Sequence, residues 1–227
     1  PTGLHRTYPN FMASEAGRGN EYNAFSTGNP PEHETILPFT RLMGGPMDYT
    51  PGIFKLKGYA AGVPDRQVYT TLAKQLALYV TLYSPLQMVA DLPENYAPHM
   101  DAFKFIKDVP VDWDDTRIIE AEPGDYLTIA RKGKGTTNWF IGAITDENAR
   151  TATLPLDFLS KGQTYTATIY ADAPDAGWKD NPEKYVIKQY AVKSSTTLRI
   201  KLGQGGGAAV SLKPATKDEL KWLIKYK

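Results

Sequence analysis

The sequence predicts two pieces: an α/β piece over residues 1–109, and an all-β piece over residues 110–227 built as an antiparallel β-sandwich. Two observations carry this. Within Thr70 to Ala90, the residues Leu72, Leu76, Tyr79, Val80, Tyr83, Leu86 and Met88 lie mostly at helical spacing. After Val109, short apolar or alternating runs follow one another, separated by Gly, Pro, Asn and Asp, as in a sandwich.

Taken in order, Leu4 to Phe11 is a short run broken by Pro9 and suits a strand end followed by a loop. Ser14 to Pro31 is rich in Gly, Asn and Ser and reads as a long loop, a feature uncommon unless functional. Ile36 to Leu42 fits a buried strand with Pro38 at its entrance, and GGPMDYTPG supplies two turn clusters after it. Thr70 to Ala90 is the main helix, apolar on several sides and so packed between layers. Pro85 predicts a kink or a second helical piece from about Ser84. Tyr96 to Ile106 is a shorter helix with Met100, Phe103 and Ile106 on its apolar side.

The strand candidates are Thr116–Ile119, Tyr126–Arg131, Asn138–Ile144, Thr151–Leu154, Gln163–Ala171, Tyr185–Val192, Thr196–Leu202 and Ala208–Leu212. KGKG and GQGGG mark tight or mobile turns between them, and Lys217 to Lys227 is a basic tail read as a short docked helix. The first piece offers about two strands and one or two helices, too few layers to close a core alone. It reads as the last third of a larger α/β unit.

Composition narrows the function classes. At 41% hydrophobic and 22% charged, the composition is that of an ordinary soluble globular chain. A formal net charge of +1 leaves no electrostatic footprint for nucleic acid or an anionic membrane. The absence of cysteine removes disulfides, thiolate metal sites and a Cys nucleophile. No apolar run is long enough to span a membrane and no signal peptide is visible. The chain opens Pro-Thr-Gly and goes straight into dense motif, so it reads as a piece of something longer.

The chemistry concentrates in the first fifty residues. Glu15 and Glu21 sit six residues apart beside Gly17 and Gly19, with Arg6 and Arg18 as nearby cations. Tyr8, Phe11, Tyr22 and Phe25 supply flat apolar faces. Carboxylates, guanidinium groups and aromatic platforms are what a sugar-cleaving site needs. Each has a blander reading beside it. Both glutamates read as solvated loop acids on composition alone, and the two arginines are more often structural. Asp48 reaches sugar or braces a loop, with the structural role favoured. His5 is as readily a packed residue as a ligand, and His33 reads as surface. Trp113, Trp139, Trp178 and Trp222 read as sandwich core rather than a stacking face.

At PTGLHRTYPN, SEAGRGNEYN, LPFTRLMGGPMDYTPG and LALYVTLYSPLQMVADLPENY the sequence resembles glycoside hydrolase family 97. WDDTRII and the GGG turn are similar to that family's C-terminal β-domain. The resemblance covers nearly the whole chain but only the C-terminal third of a family member. It implies the end of a (β/α)8 barrel followed by the β-sandwich, with the Glu15 to Asn23 loop at the carboxyl ends of the barrel strands, where such barrels place their active sites. It further implies an exo-acting α-glucosidase or α-galactosidase with an active-site Ca²⁺, acting on terminal α-linked sugars. Glu15 matches a calcium-ligating glutamate, and Glu21 matches the general acid, which also lies at the metal. Two carboxylates alone are few for Ca²⁺, which takes six to eight oxygen ligands. The base or nucleophile of the family comes from segments before Pro1, so this chain alone is expected to be inactive. The family splits into inverting and retaining members, and the TILPFTRLMGGPMDYTPGIF wording leans toward the inverting α-glucosidase branch. A periplasmic or other extracytoplasmic bacterial location is implied as well. The competing class is a non-catalytic carbohydrate-binding or interaction module built on the sandwich, which would not need the first fifty residues.

Overall fold

The computed structural model describes residues 3–59 and 63–226. All eight expected runs of the second half form strands. β1 (Trp113–Glu122), β2 (Tyr126–Gly133), β3 (Trp139–Thr145), β4 (Arg150–Pro155), β5 (Tyr165–Asp172), β6 (Tyr185–Val192), β7 (Thr197–Leu202) and β8 (Gly207–Pro214) pair only antiparallel. Six of them make one sheet in the order β1-β2-β3-β8-β5-β6, and β4 and β7 make a second, two-stranded sheet.

Strand patterning shows which layer each residue meets. In β7, Leu198, Ile200 and Leu202 are buried while Thr197, Arg199 and Lys201 are exposed, the period of two of a half-buried strand. β3 is buried along its whole length because both of its faces are covered. Trp139, Ile141 and Ala143 point into the core shared with Leu154, Leu198 and Ile200 of the small sheet. Phe140 and Ile144 face the other way and meet a helix.

That helix belongs to the first half. The first-half helices are α1 (Leu4–Thr7), α2 (Tyr22–Phe25), α3 (His33–Ile36), α4 (Leu72–Thr81), α5 (Pro93–Tyr96) and α6 (Met100–Asp108). α4 is buried at every position and starts at Thr71, whose hydroxyl accepts the Lys74 N–H at 3.2 Å, an N-cap bond. It lies across β3 and β8 at two glycines. A Cβ on Gly142 would sit 2.5 Å from the Ala77 carbonyl oxygen, and one on Gly207 2.7 Å from the Lys74 Cα. The result is three layers, with the six-stranded sheet in the middle.

Several expected elements take another form. Leu4 to Phe11 begins with the helical turn α1 rather than a strand end. Ile36 to Leu42 is no strand: α3 runs into 3₁₀ turns at Leu37–Phe39 and Arg41–Gly44. A short apolar run does not separate strand from helix by periodicity, and here only Leu37 of that run is buried. What remains of parallel pairing among the described residues of the first half is one bridge, Ser14 to Met47. α4 stops at Thr81 with no helical piece at Ser84, because the Pro85 ring would collide with the Thr81 carbonyl of a continuing helix. α6 buries Ala102 and Phe105 and leaves Met100 50% exposed, so Met100 is not on the packed side. The tail makes one 3₁₀ turn, Glu219–Lys221, instead of a docked helix, and Lys225 then bridges to Ala191 of β6. The Tyr226 hydroxyl accepts the Arg199 N–H and donates to the Arg199 carbonyl, both at 3.0 Å, tying that tail to β7. No helix among the described residues is long and apolar enough to cross a membrane.

Two buried charges join the layers. Lys74 of α4 is fully buried and ion-pairs with Glu34 at 3.2 Å, while its Nζ donates to the carbonyls of Pro31 (2.6 Å) and Thr145 (3.0 Å). Asp172, at the end of β5, accepts the N–H groups of Gly203 (2.8 Å) and Gly207 (2.9 Å). A Cβ on Gly206 would lie 2.0 Å from that carboxylate, so the GQGGG segment is a close wrap around Asp172.

Lys74→Met strands the Glu34 carboxylate in the interior and is expected to cost about 3–5 kcal/mol. In denaturant titrations, adding Glu34→Gln to it should cost far less than the two single losses summed; strict additivity would show the pair is uncoupled. For Asp172, burial outweighs the two N–H bonds and raises its carboxyl from 3.8 to about 6. The folded state therefore holds a proton that the unfolded state has lost between those values, and the group's penalty is absent below pH 3.8 and complete above about pH 6. The stability of Asp172→Asn relative to wild type should rise by about 3 kcal/mol from low to neutral pH. A flat difference in melting across that range would contradict it.

Candidate functional site

The loop expected to carry chemistry is held by buried amides. Glu21 stands just before α2, and its Oε2 accepts the Thr50 hydroxyl at 2.6 Å. The same Thr50 oxygen accepts the Asn20 N–H at 2.7 Å. Asn20 is fully buried, and its side-chain NH₂ donates to the Thr50 carbonyl (2.7 Å) and to Gln75 Oε1 (3.2 Å). Gln75, one residue past Lys74 on α4, also accepts Gly52 N–H (2.9 Å) and Ile53 N–H (3.2 Å) and donates to Thr70 (2.9 Å). Asn29 closes the other side, its side-chain NH₂ donating to the Gly19 carbonyl and its backbone N–H to Asn23 Oδ1, both at 2.9 Å. A Glu21 carboxylate set on such a base has little freedom to wander.

Glu15 is exposed, and among the described residues its carboxylate accepts no hydrogen bond and pairs with no cation. Its carbonyl is held by Arg41 Nε at 2.7 Å. Ser14 and Met47 form the parallel bridge, so Glu15 and Asp48 leave neighbouring segments side by side, and the Asp48 N–H donates to the Ser14 carbonyl at 3.0 Å. The Asp48 Oδ1 is buried without a partner. Neither Arg6 nor Arg18 forms an ion pair among the described residues. Arg18 lies over the Tyr22 ring, 4.8 Å from its centroid, and the Ser26 hydroxyl together with Arg18 holds the Tyr22 phenol below its ordinary range. Beneath the loop, the Tyr49 hydroxyl donates to Glu34 at 2.9 Å, and burial first, then the Glu34 charge, pushes that phenol well up.

His5 is a packed residue: its Nδ1 meets the Phe11 carbonyl at 2.8 Å, and its ring lies 4.7 Å from the Phe11 ring. His33 braces the loop through the Arg18 carbonyl at 2.8 Å. Trp139 is core, and Trp113 packs against Phe140. Trp222 on the tail is 56% exposed, and Trp178 sits half-buried beside Tyr69, so neither joins the sandwich core expected of them. Asn20, Thr50, Gln75 and Arg41 were not singled out from sequence. The signal that points to Gln75 is polarity out of place, since LAKQLALYV is otherwise an apolar helix.

Among the described residues no three His, Cys, Asp or Glu side chains form a metal-holding group. Single oxygen donors of the kind a hard cation takes are present nonetheless. Glu15 offers an unengaged carboxylate, Glu21 keeps one oxygen outside its Thr50 bond, and the buried Asp48 Oδ1 has no partner.

Comparison with known proteins agrees with this architecture. The family description Glycosyl-hydrolase 97 C-terminal, oligomerisation, matches residues 112–213. The chain is 34% identical over 218 residues to a retaining alpha-galactosidase of Bacteroides thetaiotaomicron, covering 94% of this chain and 32% of that protein. Two solved structures of a glycoside hydrolase family 97 enzyme from Pseudoalteromonas sp. strain K8 superpose closely. The complex with panose matches at 47% identity and a TM-score of 0.88, and the complex with acarbose at 48% and 0.89. Each match covers 94% of this chain and 33% of the other. The chain thus spans about a third of the length of the relatives it matches. Its sandwich and the helices packed on the larger sheet have the fold of the C-terminal third of those enzymes. In sequence and fold the chain corresponds to the C-terminal portion of glycoside hydrolase family 97 enzymes.

Thr50→Val leaves the Asn20 N–H without its acceptor and is expected to cost about 1–3 kcal/mol. Thr50→Ser keeps the hydroxyl and should cost much less. Equal melting temperatures for the two variants would show that the hydroxyl does not hold this loop.

Proposed function

We propose that this chain is the C-terminal portion of an exo-acting α-glycosidase that removes terminal α-linked sugars, with Glu21 as general acid and Glu15 as a calcium ligand. The observation that carries the reading is the seating of Glu21: a carboxylate fixed by Thr50, on a loop whose backbone is pinned by Asn20, Asn29 and Gln75. A general acid must meet the glycosidic oxygen in one orientation, and it gains from a rigid support. In the reaction Glu21 gives its proton to the leaving oxygen as the C–O bond breaks. The opposing base or nucleophile comes from outside this chain. Glu15 and Glu21 would hold Ca²⁺ with ligands from the rest of the protein, and the ion would supply positive charge at the site. Arg6, Arg18 and Asp48 are the candidate sugar contacts.

An α-glucoside is favoured over an α-galactoside. The relatives solved with panose and acarbose share 47–48% identity with this chain, against 34% for the alpha-galactosidase. The location proposed for the enzyme is periplasmic or otherwise extracytoplasmic. For the sandwich itself, the matched family description names oligomerisation, which favours an interaction role for residues 112–213 beside catalysis.

In the intact enzyme, Glu21→Gln should nearly abolish cleavage of poor leaving groups and spare activated aryl glycosides by a factor of about 10² or more, because those need less protonation. Glu15→Gln should be rescued in part by raised calcium. The 227-residue chain alone should bind calcium weakly or not at all and turn over no α-glucoside. Equal loss on both substrate types in Glu21→Gln removes the general-acid role.

A further inference from the structure

We propose that Arg41 is the positioning residue of this site: its guanidinium fixes the backbone from which Glu15 and Asp48 project, and through Glu15 it sets calcium affinity. The inference rests on the reading of Glu15 as a calcium ligand.

The geometry is unusual for an arginine beside acids. Arg41 forms no ion pair among the described residues and directs its donors at main-chain oxygens instead. Nε donates to the Glu15 carbonyl at 2.7 Å, and Nη1 to the Gly45 carbonyl at 3.1 Å. Nη2 reaches the Ser14 carbonyl (2.5 Å), the Ser14 hydroxyl (2.9 Å) and the Pro46 carbonyl (3.4 Å). Those acceptors belong to the two segments joined by the single Ser14–Met47 bridge. The Ser14 carbonyl also takes the Asp48 N–H, so that one oxygen connects Arg41 to Asp48, while the Glu15 carbonyl is held directly. A single bridge is a slight joint for two catalytic-loop segments, and a rigid fork of five N–H donors is suited to reinforcing it.

The turn leaving Glu15 needs that support. Ala16 has φ 55°, a left-handed conformation that residues with a Cβ adopt rarely and keep only where neighbours impose it. At the next residue, a Cβ on Gly17 would lie 2.5 Å from the Met47 methyl and 3.5 Å from Arg41 Cγ. The arginine stem and Met47 thus form the floor of the turn while the guanidinium holds its carbonyl.

Arg41→Lys keeps the charge and loses the fork, and Arg41→Gln loses both. Each is made in the full-length enzyme, stripped with chelator, and titrated with calcium by calorimetry beside its calcium-free melting temperature. The expected result is a calcium Kd weakened by about 10-fold or more in both variants, near-native melting without calcium, and kcat recovered when calcium is saturating. A wild-type Kd in Arg41→Lys overturns the proposal. So does a Kd that rises only in step with a falling melting temperature, or loss of folding in both variants, since either marks a purely structural clamp. Glu15→Gln separates the two readings. Unchanged affinity there removes the ligand role itself, whereas weakened affinity there with unchanged affinity in Arg41→Lys removes only the positioning role.

Discussion

The buried ammonium of Lys74 is the contact on which the rest of the structure depends. It reaches the loop through Pro31, the short helix α3 through Glu34, and the end of β3 through Thr145. A charge with no water around it is stable only when its donors are all engaged and its countercharge is near. Lys74 has three such partners, one from each body of structure that must meet. The hydrophobic contacts of α4 with β3 and β8 provide most of the area, but apolar packing is non-directional. The ion pair and its two carbonyls fix where along the sheet the start of the helix sits.

One residue on, Gln75 performs the corresponding task for the site. Its amide oxygen gathers N–H groups from Gly52, Ile53 and Asn20, and Asn20 in turn sets Thr50 against Glu21. A polar pair in the first turn of a buried, largely apolar helix therefore serves two directions, the sandwich and the carboxylate loop. The same logic appears at the rim, where Arg41 uses its cation on carbonyls. The first half has few strand pairings of its own, and buried amides and one guanidinium take the place of a sheet ladder.

Sequence patterning located the eight strands because each meets a single demand. A strand with one face in the core alternates, and one with both faces covered runs apolar, and Gly, Pro, Asn and Asp mark the turns between them. It failed at Ile36 to Leu42, where apolar residues face a loop, a helix and solvent in turn and no period survives. Glu15 and Glu21 stood out as motif residues, while their supports did not. Asn20, Thr50 and Gln75 are 25 or more residues apart in pairs such as Asn20 with Thr50 and Gln75 with Asn20, as the separations of 30 and 55 show. Nothing local in the chain announces a hydrogen bond across that distance.

By itself the sequence determined the change from helical to strand grammar near Val109, the eight strands, a main helix within Thr70 to Ala90 and the family its motifs resemble. Those follow from local periodicity, turn chemistry and contiguous motifs. Only the tertiary structure decided the roles of Gly142 and Gly207 as the seats of α4, the wrap of GQGGG around Asp172, and the placement of Arg41 between the Glu15 and Asp48 segments. Each depends on which atoms a distant segment brings within a few ångströms. A glycine is required, or a buried acid holds its proton, because of neighbours that are adjacent in space and remote along the chain.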